Sequence, residues 1–165
     1  MSEKEKIIIF DTTLRDGEQS SGFHMNEYEK IKIAENLAKM NVDIIEAGFP
    51  ISSPGDFKSV NTIATEIDGP VICGLSRCVE ADIRSAGEAL EPAAKRDKAR
   101  IHTFIATSLI HTQDKLRKSE EEIIDIAVNA INIAKEYTPD IEFSCEDFGR
   151  SDADYITRIV KAVIE

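Results

Sequence analysis

A chain of 165 residues, 42% of them hydrophobic, is long enough to bury one sizeable core and too short for two ordinary domains. Its 31 acidic against 20 basic residues leave a net charge of -11, which argues against nucleic acid as a partner because no basic stripe exists to neutralise phosphates. No apolar run approaches the roughly 18 residues of a membrane span and the start Met1-Ser2-Glu3-Lys4 is no secretory signal, so no membrane partner is expected and the chain reads as cytoplasmic.

After a short charged leader, Ile7 to Phe10 reads as a buried parallel strand, followed by an unusually long loop running to Asn26. Loops beyond about 12 residues in compact domains are usually functional or disordered. Asn26 with Glu29 forms a capping box that opens a helix with Ile31, Ala34, Leu37 and Ala38 on one apolar face, closing near Met40. Val42 to Phe49 is the second strand. Ser53 and Pro54 supply the N-cap and first-turn proline of a helix faced by Phe57, Val60, Ile63, Ala64 and Ile67, which Gly69-Pro70 breaks. Val71 to Leu75 is the third strand, with a helix from about Val79 to Leu90 and a charged connector from Glu91 to Ala99. Arg100 to Thr107 is the fourth strand, and Ser108 to Lys118 a second long loop. Ser119 with Glu122 caps a helix that turns Ile123, Ile126, Ala127, Ala130 and Ala134 inward. Ile141 to Cys145 is the fifth strand, and Ser151 starts a last helix carrying Tyr155, Ile159, Ala162 and Val163.

Strand-then-helix units with apolar strands mean an α/β fold with a parallel sheet. Length and periodicity by themselves favour an open flavodoxin-like sheet, a small binding module. Within the strands, Glu142, Ser144 and Glu146 share one side, while Ile141, Phe143 and Cys145 share the other. His102 lies opposite Ile101 and Thr103, and Glu46 alternates with Ile45 and Ala47. Helices covering one face and a site lining the other would produce this pattern. Cys73, Cys78 and Cys145 lack paired C-x-x-C spacing and read as reduced thiols.

The densest chemistry is Phe10-Asp11-Thr12-Thr13-Leu14-Arg15-Asp16-Gly17-Glu18-Gln19, which packs carboxylates, a guanidinium and an amide behind the first strand. The carboxyl ends of parallel strands are where such folds place ligands. A divalent cation near Asp16 with a polarised substrate oxygen near Arg15 is the simplest chemistry that uses these groups. Asp11 and Thr12 are expected to shape the loop. Ser52, Ser53 and Gly55 could form a phosphate-binding turn, though capping is the plainer role.

Leu14 to Gln19 with Lys30 at the expected distance resembles the first signature of the 2-isopropylmalate, homocitrate and citramalate synthases. The similarity extends through Ile45 to Pro50, Ser52 to Phe57, Arg100 to Phe104 and Phe143 to Asp147. These are metal-dependent TIM-barrel enzymes that condense acetyl-CoA with a 2-oxo acid. The resemblance therefore implies a TIM (β/α)8-type barrel represented over residues 1–165 by about five β/α units, since a full barrel takes about 250 residues. It implies Arg15, Glu46 and Glu146 as catalytic groups, Gln19, His102, Ser144 and Thr107 as substrate-binding groups, and Asp16 as ligand to Mn²⁺ or Mg²⁺.

The family completes its metal site with a His-x-His pair on a later strand. His24, His102 and His111 form no such pair, so weak metal binding and no turnover by this chain alone are expected. Unpaired first and fifth strands would expose backbone donors and acceptors, so self-association as a homo-oligomer is expected too. A non-catalytic associating chain is the rival that these absences leave open. The family's leucine-sensing domain has no counterpart here.

Overall fold

A computed structural model describes residues 6–165; the charged leader lies outside the described residues. Five strands lie in the order β1-β2-β3-β4-β5, every neighbouring pair parallel: β1 Phe10–Asp11, β2 Ile44–Gly48, β3 Val71–Arg77, β4 Ala99–Ala106 and β5 Ile141–Glu146. Helices α1 Glu27–Lys39, α2 Pro54–Glu66, α3 Glu80–Ala94, α4 Glu120–Ala134 and α5 Ala153–Ile164 follow the strands in turn. A flavodoxin-like order would put β1 inside the sheet; here it is an edge, and that alternative falls. Right-handed crossovers that always step the same way place every helix on one face, so the sheet curls around the other. The result is a half-barrel. Among the described residues, no helix is long and apolar enough to cross a membrane.

The register fixes what each face carries. Ile45, Ile72 and Ile101 point outward and pack, fully buried, in one core with Val60 and Ile63 of α2, Ile83 and Leu90 of α3, Ile123 and Ala127 of α4, and Tyr155 and Ile159 of α5. The inward face carries Phe10, Glu46, Cys73, Leu75, Arg77, Arg100, His102, Phe104, Glu142, Ser144 and Glu146 by the same strand pairing. Both capping boxes form as the sequence predicts, Asn26 with Glu29 and Ser119 with Glu122, and Ser53 caps α2.

Some boundaries differ for physical reasons. The first strand shrinks to Phe10–Asp11, because β1 has a neighbour on one side only and Ile7, Ile8 and Ile9 are exposed. The Ile9 carbonyl still accepts from the Asp43 and Ile44 amides. Helix α3 runs one turn past Leu90, through Pro92, because Leu90 and Ala93 are buried against the core. The proline's missing N–H would have served the carbonyl of Glu88, on the exposed side where water can replace it. The second long loop contains a π-helical turn, His111–Leu116, ended by Arg117 at φ 53°. Asp152, not Ser151, caps α5, accepting from the amides of Asp154 and Tyr155.

Gly87 of α3 faces the turn that follows α4, where a Cβ would lie 2.3 Å from two carbons of the Tyr137 ring. Overpacking costs about 1–3 kcal/mol, against about 1 kcal/mol gained in helix propensity over glycine. Gly87→Ala is therefore expected to lower unfolding free energy, by up to about 2 kcal/mol, in urea titration. A variant as stable as the parent would mean that the ring swings aside freely.

Candidate active site

The loop after β1 is wound around one carbonyl. Thr12 O accepts from the amides of Arg15, Asp16 and Gly17 at 3.1, 2.9 and 3.1 Å. The Asp11 carboxylate accepts from the Thr13 amide at 2.9 Å and hydroxyl at 3.2 Å. Leu14, fully buried, pins the turn to the core. With that anchor in place, Arg15 folds back over the carboxyl end of the sheet.

There Arg15 donates from Nε to Glu46 Oε2 at 2.6 Å and from Nη1 to Asp16 Oδ1 at 2.9 Å. The other Glu46 oxygen faces His102 Nδ1 at 2.6 Å, and His102 Nε2 faces Ser144 Oγ at 2.8 Å. The Phe10 ring closes on His102 edge-on, centroids 6.3 Å apart. One hydrogen-bonded chain, Asp16–Arg15–Glu46–His102–Ser144, thus spans the β1 loop, β2, β4 and β5 on the inward face.

Glu46 has no exposed surface. Burial pushes its carboxyl up, but the hydrogen bonds from His102 and Arg15 outweigh burial and hold it below the usual glutamate value, so it is ionised. Both its oxygens are engaged, Oε2 by Arg15 and Oε1 by His102. Cys73, its register partner, is fully buried and its thiol is pushed well up by that burial, so it is no nucleophile.

Asp16 is 65% exposed at its side chain and shares an oxygen with Arg15. Among the described residues, no three His, Cys, Asp or Glu side chains cluster to hold a metal ion. A hard cation wants about six ligands. One carboxylate does not fit that requirement. Gln19 sits exposed in the short turn Gly17–Gln19, lining a small cleft of about 190 Å³ with Arg15, Phe49 and Asp56. Glu146 is half-buried at the inward end of β5. Thr107 lies apart: it is buried, outside the chain, and its hydroxyl meets Ser151 Oγ at 2.7 Å.

Lys30 has more to do than its spacing in the motif indicated. Only 5% exposed, it reaches Glu18 at 2.8 Å and Asp56 at 3.1 Å, tying the Arg15 loop to α2. Asp56 also accepts from the Ser52 and Ser53 hydroxyls at 2.7 Å each, so this helix start is occupied by its own carboxylate and serves as a cap rather than a phosphate turn. Leu75, Arg77 and Phe104 also face inward at the carboxyl end, and extending the strand alternation to β3 and β4 would have found them. Arg77 grips the buried Asp82 through Nε at 2.5 Å and Nη2 at 3.0 Å.

The HMGL-like family pattern matches residues 6–165. The chain belongs to the HMGL-like family. Among curated relatives of this HMGL-like chain, a 2-isopropylmalate synthase of Aromatoleum aromaticum is 58% identical over 162 residues, which are 98% of the chain and 31% of the relative. One from Neisseria meningitidis serogroup B is 56% identical over 165 residues, all of the chain and 31% of the relative. The chain thus spans 31% of the length of these relatives. Among solved structures, an HMG-CoA lyase of Bacillus subtilis superposes with a TM-score of 0.71 at 18% identity, over 98% of this chain and 55% of the lyase. Another, from Acinetobacter baumannii, gives 0.68 at 17%, over 95% and 52%. Those likenesses concern the fold, and they place the half-barrel within it.

Proposed function

We propose that this chain is the first five β/α units of the catalytic barrel of a 2-isopropylmalate synthase. That enzyme joins acetyl-CoA to 3-methyl-2-oxobutanoate by a Claisen-type condensation and hydrolyses the thioester, converting the acyl group to alkyl on transfer, in leucine biosynthesis. The observation that carries the reading is the inward chain from Asp16 to Ser144. The 56–58% identity to named synthases over at least 98% of the chain supports the same reading.

In this reading Arg15 stabilises negative charge developing on a reacting oxygen, because its guanidinium is fixed by Glu46 and Asp16 before any ligand arrives. Glu46 acts through its neighbours, orienting Arg15 and setting the tautomer of His102. Ser144, His102 and Glu146 face the 2-oxo acid, and Gln19 orients groups at the loop. Thr107 supports the β4 end through Ser151 rather than touching substrate. Asp16 contributes one ligand to a divalent cation, Mn²⁺ or Mg²⁺, with the others supplied from outside the described residues. Self-association through the open edges of β1 and β5 belongs to the same proposal.

The test has two readouts on the purified chain with Mn²⁺ or Mg²⁺. Thiol release from acetyl-CoA is expected to stay at the blank rate, because Asp16 alone cannot hold the cation. Added 3-methyl-2-oxobutanoate is expected to shift the NMR signals of His102 and Ser144 more than pyruvate or 2-oxoglutarate does. A larger response to either competitor would move the assignment to citramalate or homocitrate synthase. Silence with all three would remove the oxo acid from this site.

A further inference from the structure

His102 bridges Glu46 and Ser144, with one ring nitrogen on each. An ionised Glu46 can only accept, so His102 Nδ1 at 2.6 Å must carry the proton and donate it. When the ring is neutral, Nε2 is then an acceptor, and the only hydrogen that can fill the 2.8 Å gap to Ser144 is the serine's own. In that state the Ser144 hydroxyl proton is committed, and its oxygen offers a ligand nothing but lone pairs. A carboxylate or keto oxygen arriving there would find no donor.

We infer that capture of an acceptor oxygen at Ser144 is proton-linked: His102 takes one proton from solvent at Nε2, the Nε2···Oγ bond reverses direction, and the freed hydroxyl proton turns to the ligand. The inference rests on the reading that a 2-oxo acid docks at Ser144. The balance is simple. One solvent proton is consumed, one N–H bond forms, and the hydroxyl keeps its own hydrogen. Simple rotation of the hydroxyl toward the ligand would instead leave Nε2 of a 7% exposed histidine without a donor, the more costly arrangement.

The surroundings suit an added positive charge. Glu46 on β2 faces Nδ1, and Arg15 is held on the far side of that carboxylate. Glu142 is the register neighbour of His102 on β5 and is paired with Arg100 at 2.9 Å. Cys73, Leu75 and Arg77 are inward residues on β3, with Arg77 paired to Asp82; Phe10 covers the ring from β1, and Glu146 ends the same face of β5. An incoming carboxylate adds a negative charge that favours imidazolium.

The experiment uses this chain, ¹⁵N-labelled, with 3-methyl-2-oxobutanoate as the probe. Spectra of the free chain at a pH where His102 is neutral are expected to show Nδ1 protonated and Nε2 as acceptor. Binding at that pH, followed by calorimetry in buffers of different ionisation enthalpy, is expected to take up about one proton, with affinity falling about tenfold per pH unit on the alkaline side. Ser144→Ala is expected to bring the uptake close to zero, and Ser144→Thr to restore it. An Nε2–H tautomer in the free chain would overturn the inference whatever binds. Binding with no proton uptake would overturn it while leaving the oxo-acid reading intact. No binding at any pH would remove that reading, and this inference with it.

Discussion

Glu46→Ala is expected to be the most damaging single substitution on the inward face, costing about 3 kcal/mol of unfolding free energy. Removing one partner of a buried ion pair costs about 3–5 kcal/mol because the other charge is left uncompensated. The lower end applies here because Arg15 keeps Asp16 as a partner. Glu46→Gln should lose less, since the amide oxygen still accepts from Arg15, although its NH₂ then opposes His102 Nδ1. The pH dependence provides a check on the cause. The folded-state carboxyl titrates below the ordinary value of 4.5, so its contribution is present above that value and is lost as pH falls through the lowered one. The stability gap between parent and alanine variant in chemical denaturation should therefore narrow below pH 4.5. A gap that stays constant on acidification would mean that Glu46 stabilises the fold by packing and not by charge.

Lys30→Met is expected to cost about 2 kcal/mol and to loosen the loop that carries Arg15. The methionine keeps most of the buried stem but leaves Glu18 and Asp56 facing one another without a cation. Their side chains are 23% and 29% exposed, so water relieves part of the repulsion and keeps the loss below that at Glu46. Burial alone would push the lysine down, yet its two carboxylate partners raise it above the ordinary 10.5. Its stabilisation is consequently full below 10.5 and lost only as pH rises through the raised value. Limited proteolysis between residues 12 and 26 should accelerate in Lys30→Met and return toward the parent rate in Lys30→Arg. Unchanged cleavage would show that Leu14 by itself holds the loop.

The local elements were legible because their causes are local. Asn26 with Glu29, Ser119 with Glu122, and Ser53 before Pro54 set the starts of α1, α4 and α2 through contacts spanning three residues. Alternation along Ile141 to Glu146 announced which side chains share a face, and the structure has Ser144 on the inward one. The errors arose where a neighbour decided the outcome. The Ile7 to Ile9 run has strand composition but only one sheet neighbour, and Pro92 stays helical because Leu90 and Ala93 are drawn into the core. Ser151 has the right residue type for a cap, yet its hydroxyl is taken by Thr107.

The sequence by itself determined the repeating strand-and-helix grammar, the helix starts, and the concentration of chemistry in residues 10–19, since propensity, period and capping act over a few residues. Tertiary structure alone decided that the sheet winds in one direction with β1 at its edge. It alone decided that Arg15 meets Glu46 across 31 positions, Glu46 meets His102 across 56, and His102 meets Ser144 across 42. Those meetings depend on strand register and on how far the sheet curls. Both are set by packing the outward isoleucines beneath the helices, which no short stretch of sequence controls.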